Sequence, residues 1–130
     1  MTARLIAYLS YRDAPAALRW LEAVGFDVVR RQDDHDGRVQ HAEVRLGDAV
    51  LMVASNDADY DRPRLLGRST GQGIYLLVDD VDEHHTRAVD AGGTTVFEPE
   101  DTEWGTRRAR VLDPEGVEWS FGTYPPGETW

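Results

Sequence analysis

The sequence predicts an α+β fold made of two β-α-β-β-β modules, forming a curled mixed sheet around a cleft. Three observations carry that expectation. A helix headed by Asp13 and closed by Gly25 recurs, at the same spacing, as a helix headed by Asp80 and closed by Gly92. Strand-like runs joined by turns follow each helix. The closing run, Val117–Tyr124, has a bulky face of Val117, Trp119 and Phe121 and a small polar face of Glu118, Ser120 and Gly122. A strand with one filling face and one vacant face belongs beside a cavity.

Taken in order, Arg4–Ser10 is the first strand. Asp13 caps a helix with Pro15 in its first turn, and its core stripe is Ala14, Ala17, Leu18, Leu21 and Val24. Phe26–Gln32, Val39–Leu46 and Ala49–Ser55 read as an antiparallel meander, turning at Asp36-Gly37 and Gly47-Asp48. Residues 57–71 form a long polar connection of the kind used as a linker, lid or binding loop. The second module opens with Gln72–Asp79. Asp80 and Glu83 then make a capping-box pattern before the second helix. Thr94–Glu98 and a hairpin of Arg107–Leu112 and Val117–Thr123 complete it, with Asp113-Pro114-Glu115-Gly116 as the turn. The expected organisation is one domain, 1–130, of modules 1–56 and 72–124. Each module has one helix for one face of its sheet, so the other face needs closure by the other module or by another subunit.

Composition removes several chemistries. There is no cysteine, which excludes disulfides, thiolate nucleophiles and sulfur-ligated metal sites. All 14 basic residues are arginine, so no lysine is present for a Schiff base or a phosphate loop. A net charge of −10 argues against nucleic acid and anionic membrane as partners. No apolar run approaches the roughly 20 residues that span a bilayer, and no signal-peptide layout is present, so the expected compartment is the cytoplasm.

Three segments carry a resemblance to a known family. They are LSYRDAPAALRWLEAVGF (Leu9–Phe26), YLLVDDVDEHHTRAVDAGG (Tyr75–Gly93) and WGTRRARVLDPEGVEWSFGTY (Trp104–Tyr124). With the duplication, they make the chain similar to the vicinal oxygen chelate superfamily, which contains glyoxalase I, extradiol dioxygenases and the bleomycin-resistance proteins. The resemblance implies the paired-module fold and a homodimer. Enzymes of that superfamily hold a divalent metal with His and Glu side chains at four inward strand positions. On this chain those positions fall at Ile6, Met52, Gly73 and Ser120, none of which is a ligand of that kind. The resemblance therefore points to the metal-free, antibiotic-binding branch, with no metal and no cofactor.

Other constellations are thin. His84 and His85 are adjacent on a helix and cannot converge on one ion; His85 lies on the core stripe and is expected to be tucked in and hydrogen-bonded. His35 belongs to a turn. His41 and Glu43 share one strand face, as a base and its orienter, as two ligands of a metal, or as a solvated polar face. No nucleophile elbow or glycine-rich phosphate loop appears.

The expected ligand-binding residues are Tyr8, His41, Glu43, Met52, Tyr75, Trp104, Arg107, Glu118 and Ser120. Aromatic rings and methionine suit a flat organic molecule, and Glu118 would orient a cationic or donating group. Arg107 would do the converse or pair with Glu118. The expected function is binding of a small-molecule ligand, an aromatic or cationic antibiotic held without turnover. The alternatives are a metal-dependent lyase, isomerase or dioxygenase with a rearranged site at His41 and Glu43, and a regulatory or structural module.

Overall fold

In a computed structural model of the chain, which describes residues 2–56 and 69–127, Asp13 and Asp80 each head a helix in the same way. The Asp13 carboxylate accepts a hydrogen bond from the Ala16 amide, and the Asp80 carboxylate accepts one from the Glu83 amide, both at 3.0 Å. Each satisfies an amide that has no partner inside the helix. Helix α1 (Ala14–Val24) then ends at Gly25, whose φ of 132° is open only to glycine at little cost. Helix α2 (Val81–Asp90) ends one residue before the glycine pair, at Ala91. The second half of the expected capping box is not formed, because Glu83 reaches forward to Arg87 instead.

The chain divides into two compact units, Met1–Arg64 and Leu65–Trp130. Most of the connection at 57–71 lies outside the described residues. Unit 1 holds β1 (Ala7–Tyr11), α1, β2 (Asp27–Asp33), β3 (Val39–Leu46) and β4 (Ala49–Ser55), in a sheet of order β1-β4-β3-β2. Unit 2 holds β5 (Gly73–Leu77), α2, β6 (Thr94–Asp101), β7 (Arg107–Leu112) and β8 (Glu118–Gly122), in the order β5-β8-β7-β6. In both sheets the strand before the helix runs parallel to the last strand, and the remaining pairs are antiparallel. The architecture is thus α+β, two helices and two four-stranded mixed sheets with no closed barrel among the described residues.

Each helix covers one sheet face. The α1 stripe of Ala14, Ala17, Leu18, Leu21 and Val24 is buried, together with Trp20, in a core shared with Ala42, Val44, Leu51 and Val53. In unit 2, Val81, His85 and Ala88 of α2 are buried with Leu76, Ala109, Val111, Trp119 and Phe121. The His84 ring meets Phe121 at 5.8 Å, which marks the helix side of β8. Buried His85 hydrogen-bonds through Nε2 with Thr95 Oγ1 at 3.0 Å.

The Asp113–Gly116 turn is built on one carboxylate. Asp113 Oδ1 accepts from the amides of Glu115 and Val117, each at 3.0 Å, and Oδ2 accepts from the Trp119 indole at 3.2 Å. Gly116 takes the positive φ of 89° that closes the reversal. This corrects the expected strand, since Val117 belongs to the turn and only Trp119 and Phe121 form the bulky face. β6 also runs further than expected, to Asp101, because its end pairs with β7 at Glu100↔Arg108 and Asp101↔Arg107.

Candidate functional site

The helix-free face of unit 2 was expected to offer space beside Glu118, Ser120 and Gly122. That space is largely taken. Gly122 is covered by Tyr75 of β5, whose ring carbons come within 2.7 and 2.8 Å of where a Cβ would stand. Ser120 Oγ accepts from Arg110 Nε at 2.8 Å. Glu118 is buried and accepts from the Thr70 amide at 3.0 Å, with the Arg110 guanidinium 3.9 Å away. The neighbouring strands fill a face that one strand alone leaves small.

Arg107 does not pair with Glu118. Its Nε and NH2 donate to Asp82 at 2.7 and 2.9 Å, and its NH1 donates to Asp101 at 3.0 Å. These two carboxylates, Asp82 first, push the Arg107 guanidinium still further above its ordinary value. Arg107 in turn holds the Asp82 carboxyl below the usual carboxylate range. The pairing joins the first turn of α2 to the start of β7, positions 25 residues apart.

Open space lies at the adjoining end of this sheet. A cavity of about 330 Å³ is lined by three aromatic rings, Tyr75, Trp104 and Tyr124, with Thr102, Thr106, Arg107 and Arg108 completing it. The turn between β6 and β7 is stiffened by its two threonines. Thr102 Oγ1 and Thr106 Oγ1 lie 2.8 Å apart, and the Thr106 amide donates to Thr102 Oγ1 at 3.1 Å. That brace presents Trp104, which is exposed. The Tyr75 hydroxyl donates to the Tyr124 carbonyl at 2.8 Å, tying the chain beyond β8 against β5. Burial pushes the Tyr75 phenol up.

The structure brings together Tyr75, Trp104 and Arg107 of the expected ligand residues. Sequence reasoning missed Thr102, Thr106, Arg108 and Tyr124. The signal available for them was the TEWGT turn, two threonines flanking a tryptophan and a glycine.

In unit 1 the remaining candidates share the face that α1 leaves open. Register places Tyr8 beside Met52, Met52 beside Glu43, and Glu43 beside Arg30, in one row across four strands. His41 Nε2 meets Glu43 Oε2 at 2.6 Å, and this hydrogen bond holds the Glu43 carboxyl below its ordinary value. Both side chains are partly exposed, and Tyr8 is 72% exposed.

The residues do not fit the divalent metal that such a fold can carry. Ile6 is aliphatic, Gly73 has no side chain, Met52 offers only a thioether, and the Ser120 hydroxyl is engaged by Arg110. His41 and Glu43 supply two donors, and among the described residues no three His, Asp or Glu side chains converge. No helix among these residues is long and apolar enough to cross a membrane.

Comparison with known proteins agrees with the fold. The model of the Glyoxalase/Bleomycin resistance protein/Dioxygenase superfamily matches residues 5–121. The uncharacterized protein Rv0887c of Mycobacterium tuberculosis is 35% identical over 129 residues, covering 91% of this chain and 72% of the relative. TioX from Micromonospora sp. ML1 is similar with a TM-score of 0.73 and 33% identity, over 95% of this chain and 100% of that one. A bleomycin-binding protein solved in complex with bleomycin shares the fold, with a TM-score of 0.64 and 20% identity over 95% of this chain and 100% of that one.

Proposed function

The chain belongs to the glyoxalase/bleomycin resistance protein/dioxygenase superfamily, and we propose that it binds a small organic molecule without a metal. The ligand class is an aromatic or cationic antibiotic, held by sequestration rather than turned over, as drug resistance or self-protection requires. The observation that carries this reading is the cavity walled by Tyr75, Trp104 and Tyr124. Aromatic walls give affinity through area and stacking, and no reacting group is needed for that task. The four positions that would have to grip an ion supply no set of ligands for one. The superfamily includes a protein solved with bleomycin bound, which supports binding of a bulky drug on this scaffold.

The reading includes a homodimer, because each sheet has a helix on one face only. Light scattering at micromolar concentration measures it, and a monomeric mass counts against it. The ligand reading is tested by calorimetric titration with bleomycin and a panel of aromatic cationic antibiotics. Heat of binding that disappears in Trp104→Ala supports it. Absence of heat for every compound at millimolar concentration sinks it.

One observation favours a second reading, a lyase, isomerase or dioxygenase with a rearranged site. It is the 2.6 Å bond between His41 and Glu43 on an uncovered sheet face. Stoichiometric iron, nickel, zinc or manganese in protein purified without chelator, lost on His41→Ala, would establish it.

A further inference from the structure

The cavity of Tyr75, Trp104 and Tyr124 has two arginines in its wall and no carboxylate. Its hydroxyls are engaged within the protein: that of Tyr75 donates to the Tyr124 carbonyl, and those of Thr102 and Thr106 bond each other. Arg107 is engaged as well, with Nε and both terminal nitrogens on Asp82 and Asp101. Arg108 differs. Its Nε donates to Glu100 at 2.9 Å, and its guanidinium lies 5.2 Å from the centre of the Phe97 ring. Its two terminal nitrogens have no partner among the described residues. Strand register sets Arg108 opposite Gly122, the residue that the Tyr75 ring covers, so the stem of this half-exposed side chain stands beside an aromatic wall.

Resting on the reading of this cavity as a ligand site, we propose that Arg108 is its specificity residue and holds a carboxylate of the ligand. The side-chain polar capacity left in the wall is donor capacity: the end of the Arg108 guanidinium and the Trp104 indole N–H, which also has no partner among the described residues. A carboxylate is a planar, charged acceptor that takes two parallel N–H bonds from such an end, whereas an amide offers one uncharged oxygen. Glu100 and Phe97 hold the guanidinium in place beforehand, which lowers the ordering cost of that grip. A ligand ammonium meets two cations in the wall and no carboxylate. The net charge of −10 opposes an anion at long range, but that field is screened beyond a Debye length of about 8 Å, while the Arg108 bonds act at contact. Glu100 is the local competitor, since it already offsets the Arg108 charge. A drug with cationic groups keeps those groups outside this cavity.

The test is calorimetric titration with 2-naphthoate, 2-naphthamide and 2-naphthylmethylammonium, which share one ring and differ in its substituent. Naphthoate is expected to bind at least about fivefold more tightly than the amide, and the ammonium most weakly. In Arg108→Gln the ratio of naphthoate to naphthamide affinity should fall to about one. In Glu100→Gln, which removes the competing charge and keeps an acceptor for Nε, the same ratio should rise. A folding defect cannot produce that rise. Equal affinity for naphthoate and naphthamide, a preference for naphthoate that survives Arg108→Gln, or a ratio that fails to rise in Glu100→Gln would overturn the proposal. If the two bind equally and both lose binding in Trp104→Ala, the cavity remains a ligand site and the role of Arg108 falls. If bleomycin gives heat and no naphthalene does, sequestration stands and this proposal falls. If nothing binds, both fall.

Discussion

The ring of Tyr75 occupies the space that a side chain on Gly122 would need. Tyr75 sits on β5 opposite Ser120, so its ring leans along the neighbouring strand β8 to reach Gly122 two positions on. Only a residue without a Cβ lets it lie there, and its hydroxyl then reaches the Tyr124 carbonyl. One glycine therefore places one of the three aromatic walls of the cavity and lets it tie down the backbone at a second.

Gly122→Ala is expected to expel the Tyr75 ring and cost about 1–3 kcal/mol of stability, as overpacking does. Tyr75→Phe, which keeps the ring and removes one partly exposed hydrogen bond, should cost about 1 kcal/mol or less. Urea unfolding separates the two. Ligand affinity should fall much further in Gly122→Ala than in Tyr75→Phe, and equal losses would contradict the placement of the ring.

Asp113→Ala is expected to be among the more damaging single changes at a polar residue. It removes the acceptor for two turn amides and for the Trp119 indole, and Trp119 is fully buried. The expected loss is about 2–4 kcal/mol, read from denaturant midpoints. Asp113→Asn retains one carbonyl acceptor and should lose less.

The two N-caps give a matched pair. Asp13→Ala and Asp80→Ala each remove one carboxylate-to-amide bond of 3.0 Å and should each cost about 1 kcal/mol. A much larger loss at either site would mean that its carboxylate has a role beyond capping.

The Arg107–Asp82 pair makes stability fall on the acid side. Because Arg107 depresses the Asp82 carboxyl in the folded state, the pair contributes fully above the unfolded carboxylate value, about pH 4. That contribution is lost as pH falls through the depressed folded value. Urea midpoints of the protein and of Asp82→Asn should therefore differ near neutral pH and converge in acid. A gap that stays constant with pH would show that the pair does not act through titration of Asp82.

Chelation tests the metal-free reading directly. Prolonged treatment with EDTA should change the affinity for a bound aromatic ligand by less than about twofold. A larger loss, restored by adding back one divalent metal, would move the chain to the enzymes of its superfamily.

Much of the fold was legible because local chemistry and repetition spoke together. Asp13, Pro15 and Gly25 mark a helix whatever surrounds it, and the recurrence of that pattern at Asp80 and Gly92 exposes the duplication. Alternation placed His41 and Glu43 on the sheet face opposite Ala42 and Val44, and the helical stripe placed His85 in the core. These readings need only the period of a helix or a strand.

Partners distant in sequence were not legible. Whether Arg107 meets Glu118 or Asp82 depends on how α2 lies over β7, and nothing in the spacing of those residues records it. The small face of β8 looked vacant because alternation describes one strand at a time. The side chains that fill it, Tyr75 and Arg110, come from the strands on either side. Periodicity and capping act within a few residues, so they define elements from the chain alone. Filling a face and pairing a charge are contests between elements, and only the assembled unit shows which side chain arrives first.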